Sequence, residues 1–357
     1  MNKNVYHTIG LMSGSSLDGV DIAYCVFEKA ADQWQVSIKQ AECVPFPERW
    51  TNRLQFLPVQ SALTFFKTHT YFGHYLGEVT KKFINKHGIN ADLIASHGHT
   101  IFHEPHNRLT AQIGDGAAIA GATGITTITQ LRTTDVALFG QGAPIVPIGD
   151  LHLFPTYRYC LNLGGIANIS IKNKEGIVAF DVCACNQILN RLANEVELPY
   201  DDKGKLAASG AINAVLLEAL NAPDFFHKKP PKSLSNQWVM QTMMEVIDQH
   251  SLRTPDLLAT FCEHIAQQIA QSIQHFSPQS SEEMLVTGGG AFNDFLMKRI
   301  STLAKIQVII PDEKLISFKE AMVMAFMGVL RIREESNVWR SVTGAKRDTI
   351  CGAVWKG

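Results

Sequence analysis

The chain has 357 residues, of which 46% are hydrophobic and 18% charged, and its formal net charge is −1. This length predicts two lobes. The balanced charge gives no reason to expect nucleic acid or an anionic membrane as a partner, so the expected ligand is a small molecule. Seven cysteines without metal-ligand spacing favour a reducing compartment. No signal-like N-terminus and no apolar run of ~20 residues is present, which predicts a cytoplasmic protein.

The first element predicted along the chain is a β-hairpin over residues 9–27. Its turn is filled with small hydroxylated residues and glycine. Gly14 lets the backbone approach a ligand, Ser15 and Ser16 offer hydroxyl and N–H donors, and Asp18 is a carboxylate able to steer hydrated Mg²⁺. Two interpretations of this turn stay open, a phosphate-holding loop and an ordinary polar hairpin turn.

Three further elements follow the hairpin in the first half of the chain. Residues 35–41 predict a third strand, residues 62–87 carry helical apolar spacing, and residues 92–105 predict a buried strand that opens into a loop. This loop is rich in imidazole, contributed by His97, His99, His103 and His106. Without a cysteine or a well-placed carboxylate, the spacing favours polar lining of a sugar-sized cleft, or plain loop histidines, over a metal site.

The second half of the chain repeats the strand and glycine-turn pattern of the first. Residues 159–181 predict a strand, a Gly-Gly turn, a second strand and a third strand that ends on Asp181, which indicates a duplicated domain. A strand follows each glycine turn, which argues against a Rossmann unit, and no GxxxxGK[ST] motif is present. A third glycine cluster, in residues 285–300, ends a strand and enters a helix whose N-terminus can face an anion. The helical stretch 254–273 is interpreted as core packing rather than a partner-binding helix.

An ordered set of motifs resembles one family. The motifs, running from Ile9 to Ala345, are IGLMSGSSLDGVDIA, SHGHT, FGQGAPIVPIGD, LNLGGIANIS, AFD, YDDKGKLAASG, PPKSL, VTGGGAFN, FKEAMVMAF and SVTGA. Together they resemble the anhydro-N-acetylmuramic acid kinase family of the actin, hexokinase and Hsp70 superfamily. The resemblance implies an α/β, ribonuclease H-like fold of two lobes with duplicated βββαβαβα domains around a central cleft, each built on a five-stranded sheet. The expected lobes are residues 1–130, joined by 319–357, and residues 131–318.

The resemblance also implies the reaction. It is the ATP-dependent opening of the 1,6-anhydro ring of 1,6-anhydro-N-acetylmuramic acid by water, with phosphorylation of O6, to give N-acetylmuramic acid 6-phosphate and ADP in peptidoglycan recycling. The implied cofactors are ATP and Mg²⁺, and Asp18 is the candidate metal ligand. The implied partners are the amino sugar, ATP and a second copy of the chain in a homodimer.

Candidate sugar and catalytic residues follow from the chemistry and from the resemblance. Asp181 is the expected base that activates water at the anomeric carbon, with a strand-terminal Asx turn as its structural alternative. Arg132 is the expected counter-charge for the lactyl carboxylate or the sugar hydroxyls. Asp135 either orients Arg132, contacts the sugar or forms a surface ion pair. Glu320 resembles a glutamate that contacts the sugar, or is a first-turn helix acid. His97 is expected to line the sugar cleft.

For the nucleotide, the resemblance implies three groups of residues. Gly14, Ser15, Ser16 and Asp18 form the first phosphate loop, Gly164, Gly165 and Asn168 the second, and Gly288, Gly289, Gly290 and Asn293 the adenosine side. Backbone amides are expected to hold the phosphates, because a Cβ at the glycines would keep the ligand too far away.

The chain departs from the family pattern at two places. Where the family usually has FDTGPGN, residues 180–186 read FDVCACN, and where it has DFR, residues 130–132 read QLR. The first change puts the turn after Asp181 in question, although buried thiols are favoured over a nucleophilic cysteine. Two other functions therefore stay open. One is an ATP-binding sensor without turnover, and the other is an ATP-independent hydrolase of anhydro sugars.

Overall fold

The computed structural model describes residues 3–14, 17–174, 176–230 and 232–357. The chain divides into two compact units, unit 1 from Met1–Phe154 and Phe318–Gly357, and unit 2 from Pro155–Ser317. Residues 131–154 belong to unit 1, whereas the sequence assigned them to the second lobe. Two buried polar contacts hold this segment to the C-terminal part of unit 1. The Thr343 hydroxyl donates to Asp135, and Lys319 pairs with Asp150 at 2.6 Å.

The described residues form β-strands and α-helices in an alternating order. The strands are β1 Val5–Ser13, β2 Gly19–Ala30, β3 Gln33–Pro45, β4 Leu93–Glu104, β5 Leu109–Ile113, β6 Thr127–Thr129, β7 Tyr159–Leu163, β8 Ile166–Asn173, β9 Gly176–Ala184, β10 Glu283–Thr287, β11 Gln307–Ile309 and β12 Ala353–Trp355. The helices are α1 Glu48–Phe56, α2 Ala62–His87, α3 Gly116–Thr123, α4 Thr133–Ala137, α5 Pro147–Leu153, α6 Asn186–Asn194, α7 Lys205–Ser209, α8 Ala214–Asn221, α9 Asn236–Trp238, α10 Met244–Asp248, α11 Thr254–Gln274, α12 Asp294–Ala304, α13 Glu313–Ile332 and α14 Arg340–Thr343.

Unit 1 is built on a mixed sheet with the strand order β12-β6-β4-β1-β2-β3, and β5 pairs with β4. The first three strands form the predicted antiparallel meander, and β4 and β6 then run parallel to β1. Five strands were expected here. The sheet has seven among the described residues, because β12 pairs antiparallel with β6 and β5 folds back on the long strand β4.

Unit 2 has a five-stranded sheet with the order β11-β10-β7-β8-β9. Its first three strands are antiparallel, and β10 and β11 run parallel to β7. This order repeats the order β6-β4-β1-β2-β3 of unit 1, which confirms the predicted duplication. Helix α11 lies in the core of the unit, where Leu258, Phe261 and Ile265 are fully buried. Burial of this stripe supports the core interpretation of residues 254–273.

Two strand ends differ from the prediction. Strand β4 continues through His103, so three of the four clustered histidines lie on a strand rather than in a loop, because β5 pairs with that part of β4. Strand β9 continues past Asp181 to Ala184, because Ala167 and Ile166 of β8 still pair with Cys183 and Ala184. Within the described ranges, none of the helices has the length and apolarity that a bilayer crossing requires.

Candidate active site

Arg132 in unit 1 is held by two hydrogen bonds that fix the direction of its guanidinium group. Its Nε–H donates to His97 Nε2 over 2.8 Å, and its Nη1–H donates to the Gly142 carbonyl over 2.6 Å. Since His97 Nε2 accepts, the ring proton is assigned to Nδ1, which lies 3.1 Å from the Gly98 carbonyl oxygen. Burial and the nearby Arg132 lower the pKa of His97 to about 3. Both ring nitrogens are thus hydrogen-bonded within the protein, and His97 positions Arg132. The predicted contact of His97 with the sugar stays a prediction.

Asp135 acts on the same guanidinium group through the backbone of Gly142. Its side chain is fully buried, with one carboxylate oxygen accepting from the Thr343 hydroxyl over 2.7 Å and the other from the Gly142 N–H over 2.8 Å. Burial raises the pKa of Asp135, and these hydrogen bonds offset part of the rise. The Gly142 carbonyl in turn accepts from Arg132. Asp135 thus holds the Gly142 peptide that accepts from Arg132, and its burial excludes a surface ion pair. The predicted sugar contact stays a prediction.

Glu320, on α13, is the charged partner that faces Arg132. Burial raises the pKa of Glu320, and the positive charges of Arg132 and Lys319 offset part of the rise. In the same way, burial lowers the pKa of Arg132 to about 10, although Glu320 and Asp135 oppose it. Arg132 has five N–H donors, of which the two bonds above use two. The guanidinium and the carboxylate thus form a half-buried pair with polar capacity left for a ligand rich in hydroxyl or carboxylate groups.

A carboxylate that the sequence analysis did not single out, Asp21, belongs to this cluster. It lies on β2 opposite Cys43 of β3. Burial raises the pKa of Asp21 to about 6, with smaller contributions from the charges of Asp18 and Glu320 and against a hydrogen bond with Cys43. A carboxyl group with such a pKa exchanges its proton near neutral pH, which is typical of functional sites. The available signal was its place as an acid on an otherwise apolar strand.

The turn of the first hairpin is described at both ends. Gly14 is half-buried and its carbonyl accepts from the Leu17 N–H over 3.4 Å, while the Asp18 side chain is exposed. Ser15 and Ser16 lie outside the described residues. At the strand end, the hydroxyl group of buried Ser13 lies 2.9 Å from His99 Nδ1.

Asp181, on β9 of unit 2, is a half-buried carboxylate anchored by the neighbouring chain segment. Its Oδ2 accepts from the Leu234 N–H over 2.8 Å, and its own N–H donates to the Lys232 carbonyl over 3.0 Å. Burial raises the pKa of Asp181, and the Leu234 hydrogen bond offsets only part of the rise. Among the described residues, Oδ1 accepts no hydrogen bond. One oxygen atom is thus held in place, and the other is able to take a proton from a ligand or a water molecule.

Asp181 is the end of a polar row across the sheet of unit 2. Through the register of β10, β7, β8 and β9, Thr287 pairs with Asn162, Asn162 with Asn168, and Asn168 with Asp181. Directly paired residues share a face of the sheet. Asn168, which was predicted at the second phosphate turn, therefore lies beside Asp181. Asn162 was missed, although its alternation with Leu161 and Leu163 in LNLGG marks it as a polar position on a buried strand.

The departure from the family pattern after Asp181 lies at the junction of β9 and α6. Val182 and Cys183 continue strand β9, and Cys185 precedes α6 with a φ of −138° and a ψ of −110°. Both cysteines are fully buried, and burial raises their thiol pKa values, to about 12 for Cys185. These thiols therefore pack in the core of unit 2 and have no nucleophilic character at neutral pH. In the second departure, Gln130 is exposed.

Unit 2 contains a cavity of about 720 Å³ that lies against α6, α12 and the loop before α7. This volume is in the usual range for a small-molecule site. Three large, solvent-exposed apolar side chains line this cavity, namely Tyr200, Phe292 and Ile310. Aromatic faces of this kind pack against a flat ring such as a purine. Polar groups at the wall are those of Asn186, Asn190, Asp201, Asp202, Lys203, Asn293, Asp294 and Glu313.

The glycines of the predicted nucleotide loops fall into two groups. A Cβ on Gly288 would lie 2.6 Å from Asn162 Oδ1, and one on Gly290 would lie 2.7 Å from Leu163 Cβ. These two glycines are needed for packing of the protein itself. By contrast, a Cβ on Gly289, in the cavity wall, would meet no protein atom closer than 3.6 Å. Glycine at this position is therefore explained by space for a ligand.

The second predicted phosphate turn lies at the N-terminus of α6. A Cβ on Gly164 would also meet no protein atom closer than 3.6 Å, and one on Gly165 would lie 3.0 Å from the Gln187 side chain. The Gly164 carbonyl accepts from the Asn186 N–H, and the Gly165 carbonyl accepts from the Cys185 N–H. The turn is thereby fixed to the positive end of the helix dipole, where an anion is stabilised.

Asn293 has a structural role that the sequence did not indicate. It lines the cavity, but its Oδ1 accepts from the Leu296 N–H over 2.9 Å and caps α12. Asp201 behaves similarly, since its two oxygens accept from the Leu206 and Ala207 N–H groups. These side-chain oxygens therefore stabilise the starts of α7 and α12. Within the described ranges, no three histidine, cysteine, aspartate or glutamate side chains are grouped to hold a metal ion.

The two α/β units share one order of five strands, and in each unit a glycine turn follows the first strand. This arrangement defines a protein of the actin, hexokinase and Hsp70-like class. The nucleotide-sized cavity beside α12 agrees with this class. The family model described as anhydro-N-acetylmuramic acid kinase matches residues 6–357. The chain belongs to this family and is a phosphotransferase.

Curated relatives match the chain over nearly its whole length. An anhydro-N-acetylmuramic acid kinase from Gloeobacter violaceus is 34% identical and covers 97% of each chain. Proteins of the same name from Vibrio cholerae and Vibrio vulnificus are 32% and 30% identical, and cover at least 97% of each chain. This similarity confirms the family resemblance inferred from the motifs.

Similarity to solved structures is weaker. The activator of 2-hydroxyisocaproyl-CoA dehydratase from Clostridium difficile, with bound ADPNP, has a TM-score of 0.47 and 14% identity, and the match covers 92% of this chain and 96% of that one. Hexokinase from Schistosoma mansoni has a TM-score of 0.33 and 9% identity, with 91% and 85% covered. The strand order, rather than these low-scoring matches, defines the fold.

Proposed function

We propose that this chain uses ATP and water to convert 1,6-anhydro-N-acetylmuramic acid into N-acetylmuramic acid 6-phosphate and ADP. The observation that carries the proposal is the state of Asp181. One oxygen is fixed by the Leu234 N–H, the other accepts no bond among the described residues, and burial raises the carboxyl pKa. A positioned carboxylate with a raised pKa is a suitable general base for activating water.

In the proposed reaction, Asp181 Oδ1 takes a proton from a water molecule while the water oxygen forms a bond to the anomeric carbon. The bond between this carbon and O6 breaks, and O6 forms a bond to the γ-phosphorus as the bond to the ADP oxygen breaks. Asp181 then releases the proton to solvent. The polar row that contains Asn162 and Asn168 gives the water and the departing oxygen hydrogen-bond partners beside the base.

Recognition of the sugar is assigned to unit 1. Arg132 binds the lactyl carboxylate, because its guanidinium group is held in one orientation by His97 and the Gly142 carbonyl and still has free donors. Glu320 accepts hydrogen bonds from sugar hydroxyl groups. Asp135 acts through Gly142 as a positioning residue.

Recognition of ATP is assigned mainly to unit 2. The purine packs between Tyr200 and Phe292 in the 720 Å³ cavity, with the ribose close to Gly289. The phosphates lie toward Gly164 and Gly165, where the N-terminus of α6 favours negative charge.

In unit 1, the first hairpin is assigned to phosphate binding. Gly14, Ser15 and Ser16 contact the phosphates, and Asp18 is the proposed ligand of a hydrated Mg²⁺ ion. Mg²⁺ is usually bound by one or two carboxylates, nucleotide phosphates and water molecules. The exposed carboxylate of Asp18 fits this donor set. When bound, the ion would neutralise phosphate charge. We also propose a homodimer in the cytoplasm, as the family resemblance implies.

The proposal is tested by measuring ADP release with the sugar and ATP together and with each omitted. Sugar-dependent ADP release that disappears in Asp181→Asn supports the kinase. ATP binding without sugar-dependent ADP release would instead support a sensor. Ring opening in the absence of ATP would support a hydrolase.

A further inference from the structure

A second concave site lies in unit 2 on the side of β9 where Phe180 is buried. This cavity, which we call the basic pocket, has a volume of about 150 Å³. Its basic lining residues are His227, Lys228, Lys229, Lys232 and His275, and none of the described residues that line it is acidic. Like charges gathered around one cavity repel one another, so the arrangement is electrostatically complementary to an anion.

Two exposed lysines of the basic pocket, Lys228 and Lys229, take part in none of the ion pairs of the described residues, unlike several other lysines. Lys3, Lys86 and Lys205 each pair with a carboxylate. Within the described residues, no carboxylate lies within ion-pair distance of Lys228 or Lys229. Exposed ammonium groups side by side on a concave surface keep their full hydrogen-bonding capacity for a ligand.

Lys232 forms the inner wall of the basic pocket. Its Nζ donates to the Phe225 carbonyl over 3.2 Å and lies 4.6 Å from the centre of the Phe225 ring. Burial lowers the pKa of Lys232, which shows that its charge is only partly compensated by these contacts. An anion in the pocket would compensate it further.

The size of the basic pocket limits the ligand. At ~30 Å³ per water molecule, 150 Å³ holds about five water-sized groups. A phosphoryl group has five heavy atoms and up to two negative charges, so it fits both the volume and the charge. On α11 the Gln271 amide lines the rim, beside the Ser272 hydroxyl group, which donates to the Gln268 carbonyl over 2.8 Å.

The basic pocket is connected to Asp181 through the backbone. Lys232 lines the pocket with its side chain, while its carbonyl accepts from the Asp181 N–H over 3.0 Å. Two residues further on, the Leu234 N–H donates to Asp181 Oδ2. A shift of the backbone at Lys232 and Leu234 on anion binding would therefore act on both hydrogen bonds that anchor Asp181.

We propose that the basic pocket binds a phosphoryl group, either as free inorganic phosphate or on a small phosphorylated metabolite, and that its occupancy stabilises the chain segment that anchors Asp181. The site is separate from the proposed ATP cavity, since the two cavities share no lining residue. The binding and its effect on the segment are independent of the proposed reaction.

The test is calorimetric titration with inorganic phosphate and, separately, with glycerol 3-phosphate. The nucleotide site is first saturated with a non-hydrolysable ATP analogue, and ionic strength is held constant. The test variant is Lys228→Gln/Lys229→Gln. The matched control is Lys81→Gln/Lys82→Gln, which removes two adjacent exposed charges from α2. Hydrogen exchange of the Leu234 amide is measured with and without the ligand.

We expect one phosphoryl ligand to bind the unchanged protein and the control variant, and binding to be at least tenfold weaker in Lys228→Gln/Lys229→Gln. Tighter binding of inorganic phosphate identifies the free ion as the ligand, and tighter binding of glycerol 3-phosphate identifies a metabolite. Exchange of the Leu234 amide is expected to slow on binding. No binding of either probe, or equal affinity in the pocket variant, would overturn the site. Unchanged exchange in the saturated protein would overturn the connection to Asp181.

Discussion

Replacing Asp21 by asparagine is expected to stabilise the protein at neutral pH. Burial is the main reason why the pKa of Asp21 rises from its ordinary value of 3.8 to about 6. At 1.36 kcal/mol per pH unit, this rise corresponds to about 3 kcal/mol of destabilisation when the group is fully ionised. Because the side chain is partly exposed, about 1–3 kcal/mol is a reasonable range. Asparagine has a similar shape and carries no charge, so it removes this cost.

The sign of the pH dependence follows from proton binding. Between pH 3.8 and about 6, the folded protein holds a proton on Asp21 that the unfolded chain has released. The stability contributed by this group is therefore greatest below pH 3.8, falls as the pH rises, and reaches its minimum above about pH 6. The advantage of Asp21→Asn consequently grows with pH over the same range.

Thermal and urea unfolding at pH 7.5 and pH 4.5 measure this effect. At pH 7.5 the variant is expected to melt about 1–4 °C higher than the unchanged protein, and the difference is expected to shrink at pH 4.5. Asp32→Asn, an exposed carboxylate in the turn between β2 and β3, is the control and should show no such difference. Equal stability at pH 7.5, or a gain that does not shrink toward pH 4.5, would refute the burial argument.

Three further predictions concern the candidate site. Thr343→Val removes the hydroxyl that donates to buried Asp135. It should lower the free energy of unfolding by about 1–3 kcal/mol and raise the KM for the sugar more than that for ATP. Thr343→Ser, which keeps the hydroxyl, should restore both properties, and failure of this rescue would contradict the positioning role. Gly289→Ala should raise the KM for ATP and leave the free energy of unfolding nearly unchanged. Gly290→Ala should destabilise the protein by about 1–3 kcal/mol, because its Cβ would lie 2.7 Å from Leu163. Unfolding curves that rank the two variants in the opposite order would disprove the division of the glycines. Activity should fall as the pH is lowered through the raised pKa of Asp181, because a protonated carboxyl cannot act as base, and a pH profile without an acidic limb would argue against that role.

Hydrophobic periodicity and the positions of glycine turns were sufficient to predict the main strands and helices of the fold. The helix predicted over 62–87 is α2, and both glycine-turned hairpins are present. These patterns are local, so single segments reveal them. The ends of β4 and β9 were wrong, because both strands are extended by pairing with a partner strand rather than by their own composition. The short strand β12 depends in the same way on its pairing with β6.

Side-chain roles were harder to predict than elements. Arg132 was predicted because a guanidinium can hold a carboxylate, and Asp181 because it is an acid at the end of an apolar strand that matches a family motif. The choice between contact and positioning was not visible for His97 and Asp135, since it depends on hydrogen bonds to Arg132 and Thr343, which are distant in sequence. The pKa of Asp21 was likewise hidden, because burial is a property of the packed sheet.

The central claim, that Asp181 directs water to the anomeric carbon while O6 takes the γ-phosphoryl group, is tested most directly by isotope labelling. Purified protein is incubated with Mg²⁺-ATP and 1,6-anhydro-N-acetylmuramic acid in ¹⁸O-labelled water, beside an Asp181→Asn variant, and the products are analysed by fragment mass spectrometry. The account predicts N-acetylmuramic acid 6-phosphate with a single labelled oxygen at the anomeric carbon, and no product from the variant. A label on the phosphoryl group, or an unchanged yield from Asp181→Asn, would contradict it.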